Sequence, residues 1–472
     1  MQDRWMRKMI RKHSLTNSFW RHAEFVAAQL DGLLAGYRAA AIEETSLMPL
    51  DWTDFQILNA FANLADLNSD ADNFEQATSG SRSTAENQLQ ARALRNGHCS
   101  ALIRVLPGTE NVFMGHNTWL SYELTNRIFK HYDFNTRDPA TSANAMSFSS
   151  YPGVIASLDD YYLMSNGIVL LQTSLQFFNA SLYSKVTSES LLPWQRVRLA
   201  NHLAANGSQW YDIFKQFNSG TYNNQYMILD TSKIKLGKRI ENEALWVVEQ
   251  MPGLVLGRDV TSTLRKGYWA SYNLPFFEEI YNVSGHPEMV KEYGAQFSYR
   301  DAPRAKIFRR DAPRVNDMAS MKALLRSNDF RHDKYSRGNP NNAICSRPDL
   351  AKAKDGPTTG GCTDAKVTDL AMARERRTWA INGPTRGTGL GVFRWDTASV
   401  IFENLPDYGE LSHWGTPRVF NFSFVEMKPL LSSVASTNNV ERLAFTWYTF
   451  LILSLFYTFG LIDFRTEYQT LK

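Results

Sequence analysis

The feature that most constrains this chain is a strand that opens on a cysteine. Cys99 to Leu106 (CSALIRVL) alternates, Pro107 to Asn111 (PGTEN) turns, and Val112 to His116 returns, which predicts a hairpin. Ahead of it lies Asn68 to Gln88 (NSDADNFEQATSGSRSTAENQ), a polar stretch nearly free of large apolar residues. Such a stretch cannot bury enough surface to fold alone. It reads as an exposed linker, the kind of segment at which chains are cut.

The two sides of that linker differ. Before it, Asn17 to Glu44 reads as an amphipathic helix, with Phe19, Ala23, Val26, Leu30, Leu33, Leu34 and Tyr37 at helical spacing. Asn17 or Ser18 is placed to cap it. A second helix follows Asp51, with Trp52, Phe55, Leu58, Ala62 and Ala65 on one face. After the linker comes the hairpin. A second hairpin is signalled by Asn166-Gly167 between Tyr161–Met164 and Ile168–Gln172. Helical spacing returns from Pro193 to Phe217, and short strands then run to Tyr281. Strands and helices come in blocks without repeats, so the class is α+β, sheet packed against helices.

A net charge of +4 over 472 residues, with cations and anions mixed, gives no argument for nucleic acid as partner. Twelve Trp, 20 Tyr and 28 Phe suit a large aromatic core or an apolar cleft. The three cysteines fit one disulfide and one free thiol. Cys345 and Cys362 could close a short loop, which leaves Cys99 as inert core or as a reactive group. Asn-x-Ser sequons at Asn179, Asn206, Asn282 and Asn421 point weakly to a secretory route. The first residues (MQDRWMRKMIRKHSL) carry the charge of a signal peptide's start without its apolar run, which predicts either a cytosolic protein or a start further upstream. Asp301 to Arg314 (DAPRAKIFRRDAPR) is basic, either a solvated face or the lining of an anionic-lipid or phosphate site. Leu443 to Ile462 has no charge over a length that spans a bilayer, with Arg442 and Arg465 at its flanks.

A cysteine that opens a strand behind a flexible loop has one specific chemical use. If the bond before it is cut, its side chain becomes the nucleophile. Its new α-amine, with a reference pKa of about 7.7–8.0, becomes the base. By spacing alone, a buried structural cysteine is the commoner explanation. The surrounding words alter that balance. NGHCSALIRV and MGHNTWLSYELTNRIFKHYDF closely resemble the segment around the nucleophile of phospholipase B-like proteins. GYWASYNLPFFEEIYNVSG, PRAKIFRRD, MKALLRSNDFRHDKYS, AICSRPDL, GGCTDAKVTD and HWGTPRVFNFSF follow in the same order, so the resemblance runs from about Phe19 to Pro429.

The resemblance implies a four-layer αββα sandwich of the N-terminal-nucleophile hydrolase type. It implies cleavage between His98 and Cys99, with Cys99 as nucleophile and His116, Asn273 and Arg304 beside it. Trp119 would line the pocket. Asn273 would donate to an oxyanion, and Arg304 would orient Asn273 or meet an anionic head group. Core His116, a turn amide at Asn273 and a surface Arg304 are the structural alternatives. The expected organisation is a helical fragment (1–98), a hydrolase core (99–430) and a tail (431–472) that could anchor in a membrane. The implied activity is hydrolysis of a lipid ester or an acyl amide, without metal or other cofactor, in a lysosomal or secreted protein. The rival is a self-cleaving lipid-binding protein with little turnover. A papain-like protease is disfavoured, because that family's local signature is missing around Cys99.

Overall fold

A computed structural model describes residues 1–45, 47–67, 98–352, 357–387, 389–396 and 415–429. The Asn68–Gln88 linker and the Leu443–Ile462 stretch lie outside the described residues. Among the described residues no helix is long and apolar enough to cross a membrane.

Two antiparallel sheets form the centre. The first has the order β12 (Tyr268–Ser271), β1 (His98–Val105), β2 (Val112–Ser121), β14 (Asp364–Asp369), β15 (Thr378–Asn382) and β16 (Val425–Met427), with β13 (Gly360–Cys362) also paired to β2. The second runs β11 (Leu254–Asp259), β10 (Leu245–Met251), β7 (Asn224–Asp230), β6 (Ile168–Ser174), β5 (Tyr162–Met164), β4 (Ala145–Ser150) and β3 (Ile128–Asp133). A two-stranded ribbon of β8 (Ile234–Lys235) and β9 (Arg239–Ile240) stands apart. Both expected hairpins form.

Alternation along the strands sorts the side chains into layers. Ala101, Ile103 and Met114 of the first sheet meet Leu163, Val169, Leu171, Met227 and Val247 of the second in one apolar core. The opposite parity of the first sheet, Leu102, Phe113, Ala365 and Val367, packs on Ile307, Phe308, Met321 and Leu325. Those come from two helices whose ranges are given below. The opposite parity of the second sheet, Phe148, Leu170, Ile228 and Val248, packs on Val197, Ala200, Trp210 and Phe214. The molecule is therefore α+β and a helix–sheet–sheet–helix sandwich, as expected.

The helices that build the layers are, in chain order, α1 (Gln2–His13), α2 (Ser18–Glu43), α3 (Trp52–Leu67), α4 (Pro193–Leu203), α5 (Gly207–Phe214), α6 (Pro303–Asp311) and α7 (Met318–Leu325); His286–Tyr293 and several shorter helices accompany them. Helix α2 starts where expected: the Asn17 side chain accepts from Phe19 N at 2.9 Å. Its buried stripe includes Trp20, Val26, Leu30 and Leu34 and lies over Leu191, Trp194 and Leu199. Helix α4 is thus covered on both sides, and every residue from Pro193 to His202 is buried. Its two arginines are satisfied internally: Arg196 donates to Phe214 O at 2.8 Å and Arg198 to Gln29 Oε1 at 2.9 Å. So α1 and α2 add an outer helical layer that the four-layer expectation lacked. Helix α1 itself was not expected. Arg4, Lys8, Arg11 and Lys12 are exposed, Arg7 pairs with Asp3 and Asp31, and Met6 and Ile10 are buried.

Candidate active site

Strand β1 lies between β12 and β2, so Cys99 opens a strand in the interior of the first sheet. Cys99 pairs with Thr118, and Ala101 pairs with both His116 and Ser271. Parity puts Cys99, Thr118 and His116 on the face turned towards the second sheet, and Ser100, Asn117 and Trp119 on the outer face. Cys99 is a free cysteine at 4% exposure. Burial, then the charge of Asp159, pushes its thiol up to about 12, with Lys366 opposing. In the uncut chain the sulfur is a neutral thiol.

Asn273 follows β12 with φ at +67°, a backbone state that asparagine tolerates better than most residues. Its Oδ1 accepts from the backbone N of Cys99 at 3.2 Å. Its Nδ2 donates to Ser174 O at 2.8 Å and to Ser174 Oγ at 3.1 Å. One amide therefore ties the first residue of the hairpin to the far end of β6. Arg304, from the first turn of α6, donates to Cys99 O at 2.6 Å and to Ser100 Oγ at 3.2 Å. It lies 4.4 Å over the Trp119 ring. Burial pulls its guanidinium down to about 9, so it stays charged at neutral pH. Arg304 thus holds the Cys99 carbonyl and Ser100 rather than Asn273.

His116 is completely buried, and its Nε2 is 2.8 Å from Gln172 O while Nδ1 has no partner. Burial, then Lys366, pushes the imidazole down to about 3, so the ring is neutral and Nε2 carries its hydrogen. Trp119 is buried on the outer face against the Cys345–Cys362 disulfide, which forms as expected. Cys99, Asn273, Arg304 and the Trp119 ring are thus brought together, with His116 further along the inner face.

The rest of the basic run is largely paired within the fold: Arg310 with Asp311 and Asp333 at 2.6 Å each, Arg314 with Asp311, Lys306 with Asp301. Among the sequons, Asn282 and Asn421 are exposed. Asn179 and Asn206 use their side chains as helix caps, accepting from Ser181 N and Gln209 N. Among the described residues no cluster of three or more His, Cys, Asp or Glu could hold a metal ion.

The family model described as Phospholipase B matches residues 1–427. The chain belongs to the phospholipase B family. It is 47% identical to human Phospholipase B-like 1 over 430 residues, 91% of this chain and 74% of that protein. It is 47% identical to Phospholipase B of Crotalus adamanteus, over 91% and 75% of the two chains. Phospholipase B-like protein A of Dictyostelium discoideum is 35% identical over 90% and 74%. A mutant conjugated bile acid hydrolase from Clostridium perfringens aligns at TM-score 0.34 and 10% identity over 60% of this chain and 89% of that one, too distant to bear on the site. Family membership and architecture support a hydrolase.

This phospholipase B-family site also contains groups that the sequence reading missed. Thr118, opposite Cys99, is clamped on three sides: its N donates to Asp364 Oδ1 at 2.8 Å, its Oγ1 donates to Asp159 Oδ2 at 2.9 Å, and Lys366 Nζ donates to Oγ1 at 2.7 Å. Lys366 also bonds both carboxylates, and Arg127 bridges Asp159 at 2.8 Å and Asp364 at 3.0 Å. Burial alone would raise both carboxyls, but Arg127 and Lys366 hold both below the usual carboxylate range, Asp159 well below. Two cations and two anions thus balance in the core, as buried charges must. The signal available was Lys366, a charged residue in mid-strand within GGCTDAKVTD.

Proposed function

We propose that this chain is an acyl hydrolase in which Cys99, freed by cleavage after His98, attacks the carbonyl of a lipid ester or acyl amide. The observation that carries the reading is the hydrogen bond from Cys99 N to Asn273 Oδ1. The atom that would become the α-amine already has an oriented acceptor, and Arg304 steadies the adjacent carbonyl. Hydrolysis of the His98–Cys99 bond leaves a piece of 1–98 and a core of 99–430, with 431–472 as a tail. The α-amine takes the thiol proton, and the thiolate adds to the acyl carbonyl. Asn273 Nδ2, sharing its hydrogens with Ser174, donates to the oxyanion. The ammonium returns the proton to the departing alcohol or amine, and water then hydrolyses the thioester to the free acid and thiol. Neutral His116 shapes the inner wall and transfers no proton in this scheme. A disulfide and exposed sequons at Asn282 and Asn421 suit a lysosomal or secreted protein.

N-terminal sequencing of mature protein tests the reading, with CSALIRV expected at the larger piece. Cys99→Ala should abolish self-cleavage and hydrolysis. Cys99→Ser should cut slowly and turn over little, since an alcohol ionises far less readily than a thiol. An uncut wild-type protein that hydrolyses acyl substrates would falsify the scheme. The burial of Cys99 favours the second reading, a self-cleaving lipid binder, and a burst of acyl product from matured protein would exclude it.

A further inference from the structure

A crevice lies between α3 and the loop that leads into β5. Leu58, Phe61 and Ala62 of α3 form one wall, and Leu124, Val154 and Leu158 form the other. Its cavity volume is about 30 Å³, within about 550 Å³ of space free of protein atoms that is partly open to solvent. Its lining is mostly apolar; Asn59, Asn63 and Ser157 also border it, and its one carboxyl is Asp160. That side chain is 2% exposed, its Oδ1 has no hydrogen-bond partner, and its backbone is held at φ +44°. Burial, reinforced by the neighbouring charge of Asp159, raises the carboxyl well above its usual range, so it is a neutral acid. Adjacent carboxyls therefore differ in kind: Asp159 is ionised and fully bonded, Asp160 is protonated and open.

A buried polar group without a partner calls for a reason, as does a bulky residue in the left-handed region. Tyr222 is the second such residue here, with φ at +48°, and it lines the same crevice. Cys99 does not line the crevice, but a short chain of packed contacts links the two. Asp160 follows Asp159, Asp159 bonds Thr118 at 2.9 Å, and Thr118 is the cross-strand partner of Cys99.

We propose that this crevice is the acyl subsite, taking one unbranched hydrocarbon chain between α3 and the Tyr151–Asp160 loop, with the Asp160 carboxyl donating to an oxygen of the ligand. It rests on the hydrolase reading for the ligand's chemistry. Slots this narrow exclude rings and branched chains, and a small outward shift of α3 admits a methylene chain. Because α3 belongs to the piece upstream of Cys99, that piece supplies one wall of the subsite.

The test uses the full chain with cis-parinaric acid as fluorescent probe and a series of acyl substrates from short to long. Ala62→Trp fills the crevice without touching the residues around Cys99. It should weaken probe binding at least tenfold and remove any preference for long over short chains, while the rate of Cys99 alkylation stays unchanged. Phe61→Ala widens the crevice and should shift the preference towards longer chains at least fivefold, which keeps the test open if Ala62→Trp does not fold. Probe binding that Ala62→Trp abolishes, in a protein that hydrolyses nothing, supports the subsite and defeats the hydrolase reading. Hydrolysis with a chain-length order and probe affinity indifferent to both substitutions overturns the subsite and leaves the hydrolase reading intact.

Discussion

Asn273 faces both ways with a single amide, oxygen to Cys99 N and nitrogen to Ser174. Asn273→Ala should lower turnover about a hundredfold or more if the nitrogen serves the oxyanion. It should also lower the pH at which the remaining activity appears, because an acceptor favours the ammonium form and the amine loses it; a pH–rate profile measures both. Three residues further on, Glu249 accepts from Phe276 N at 2.6 Å and Phe277 N at 3.0 Å and so holds the turn that carries Asn273. Burial raises this carboxyl to about 7. Its folded value exceeds the unfolded one of about 4.3. The fold therefore binds a proton that the unfolded chain releases, and this contribution is full below about pH 4 and lost as pH rises through 7. Melting curves of wild type and Glu249→Gln should show wild type losing ground to the variant between pH 5 and pH 8. The resemblance placed Cys99, His116, Asn273 and Arg304 from their local words alone. Their partners were not legible, since Ser174 and Gln172 lie on another sheet and nothing near Asn273 or His116 points to them.

At the scale of elements, two glycines set how closely helices approach. Helix α7 rests on β2 at Gly115, where an added Cβ would lie 2.1 Å from Leu325 Cδ1 and 3.3 Å from the backbone O of Lys366. Gly115→Ala should cost about 1–3 kcal/mol by overpacking, read from denaturant unfolding. Helix α3 sits on Gly153, whose φ is +71° and whose Cβ would meet Leu58 Cδ2 at 2.5 Å. Asn59 fixes the same contact, donating to Gly153 O at 3.1 Å and accepting from Ile155 N at 2.9 Å. Gly153→Ala should loosen α3 and make it an early site of proteolysis, which limited digestion would reveal. Helix α2 and both hairpins were legible because their apolar spacing and caps are local. Helix α1 was not, because its buried residues are sparse among cations, and only the partner surface of α2 makes sense of them. The helix in the basic run was hidden in the same way, by charges that find their partners at Asp311 and Asp333.

For the whole molecule, the class followed from the blocks of strand and helix, and the four layers from the resemblance. The outer layer of α1 and α2 depends on burial of α4 from both sides, which no single segment encodes. The Cys345–Cys362 disulfide braces the outer face beneath Trp119. Cys345→Ser together with Cys362→Ser should lower stability by about 2–4 kcal/mol, seen as a fall in Tm under oxidising conditions. Finding either cysteine open to alkylation in the folded protein would count against the bond.

The charged quartet has a mechanical consequence. Asp159 comes from the loop entering the second sheet, whereas Asp364 and Lys366 belong to the first, and Arg127 stands just ahead of β3. An oil-like interface between two sheets resists separation far better than it resists sliding, since greasy contacts have no direction. Ion pairs of 2.7 to 3.0 Å do have direction, so the four charges act as a dowel between two plates. A slip of one residue, about 3.3 Å, would unseat it. The same slip would part His116 from Gln172 and Asn273 from Ser174. The nucleophile's surroundings are therefore only as well aligned as the two sheets are, and that alignment is fixed by salt in the middle of the core.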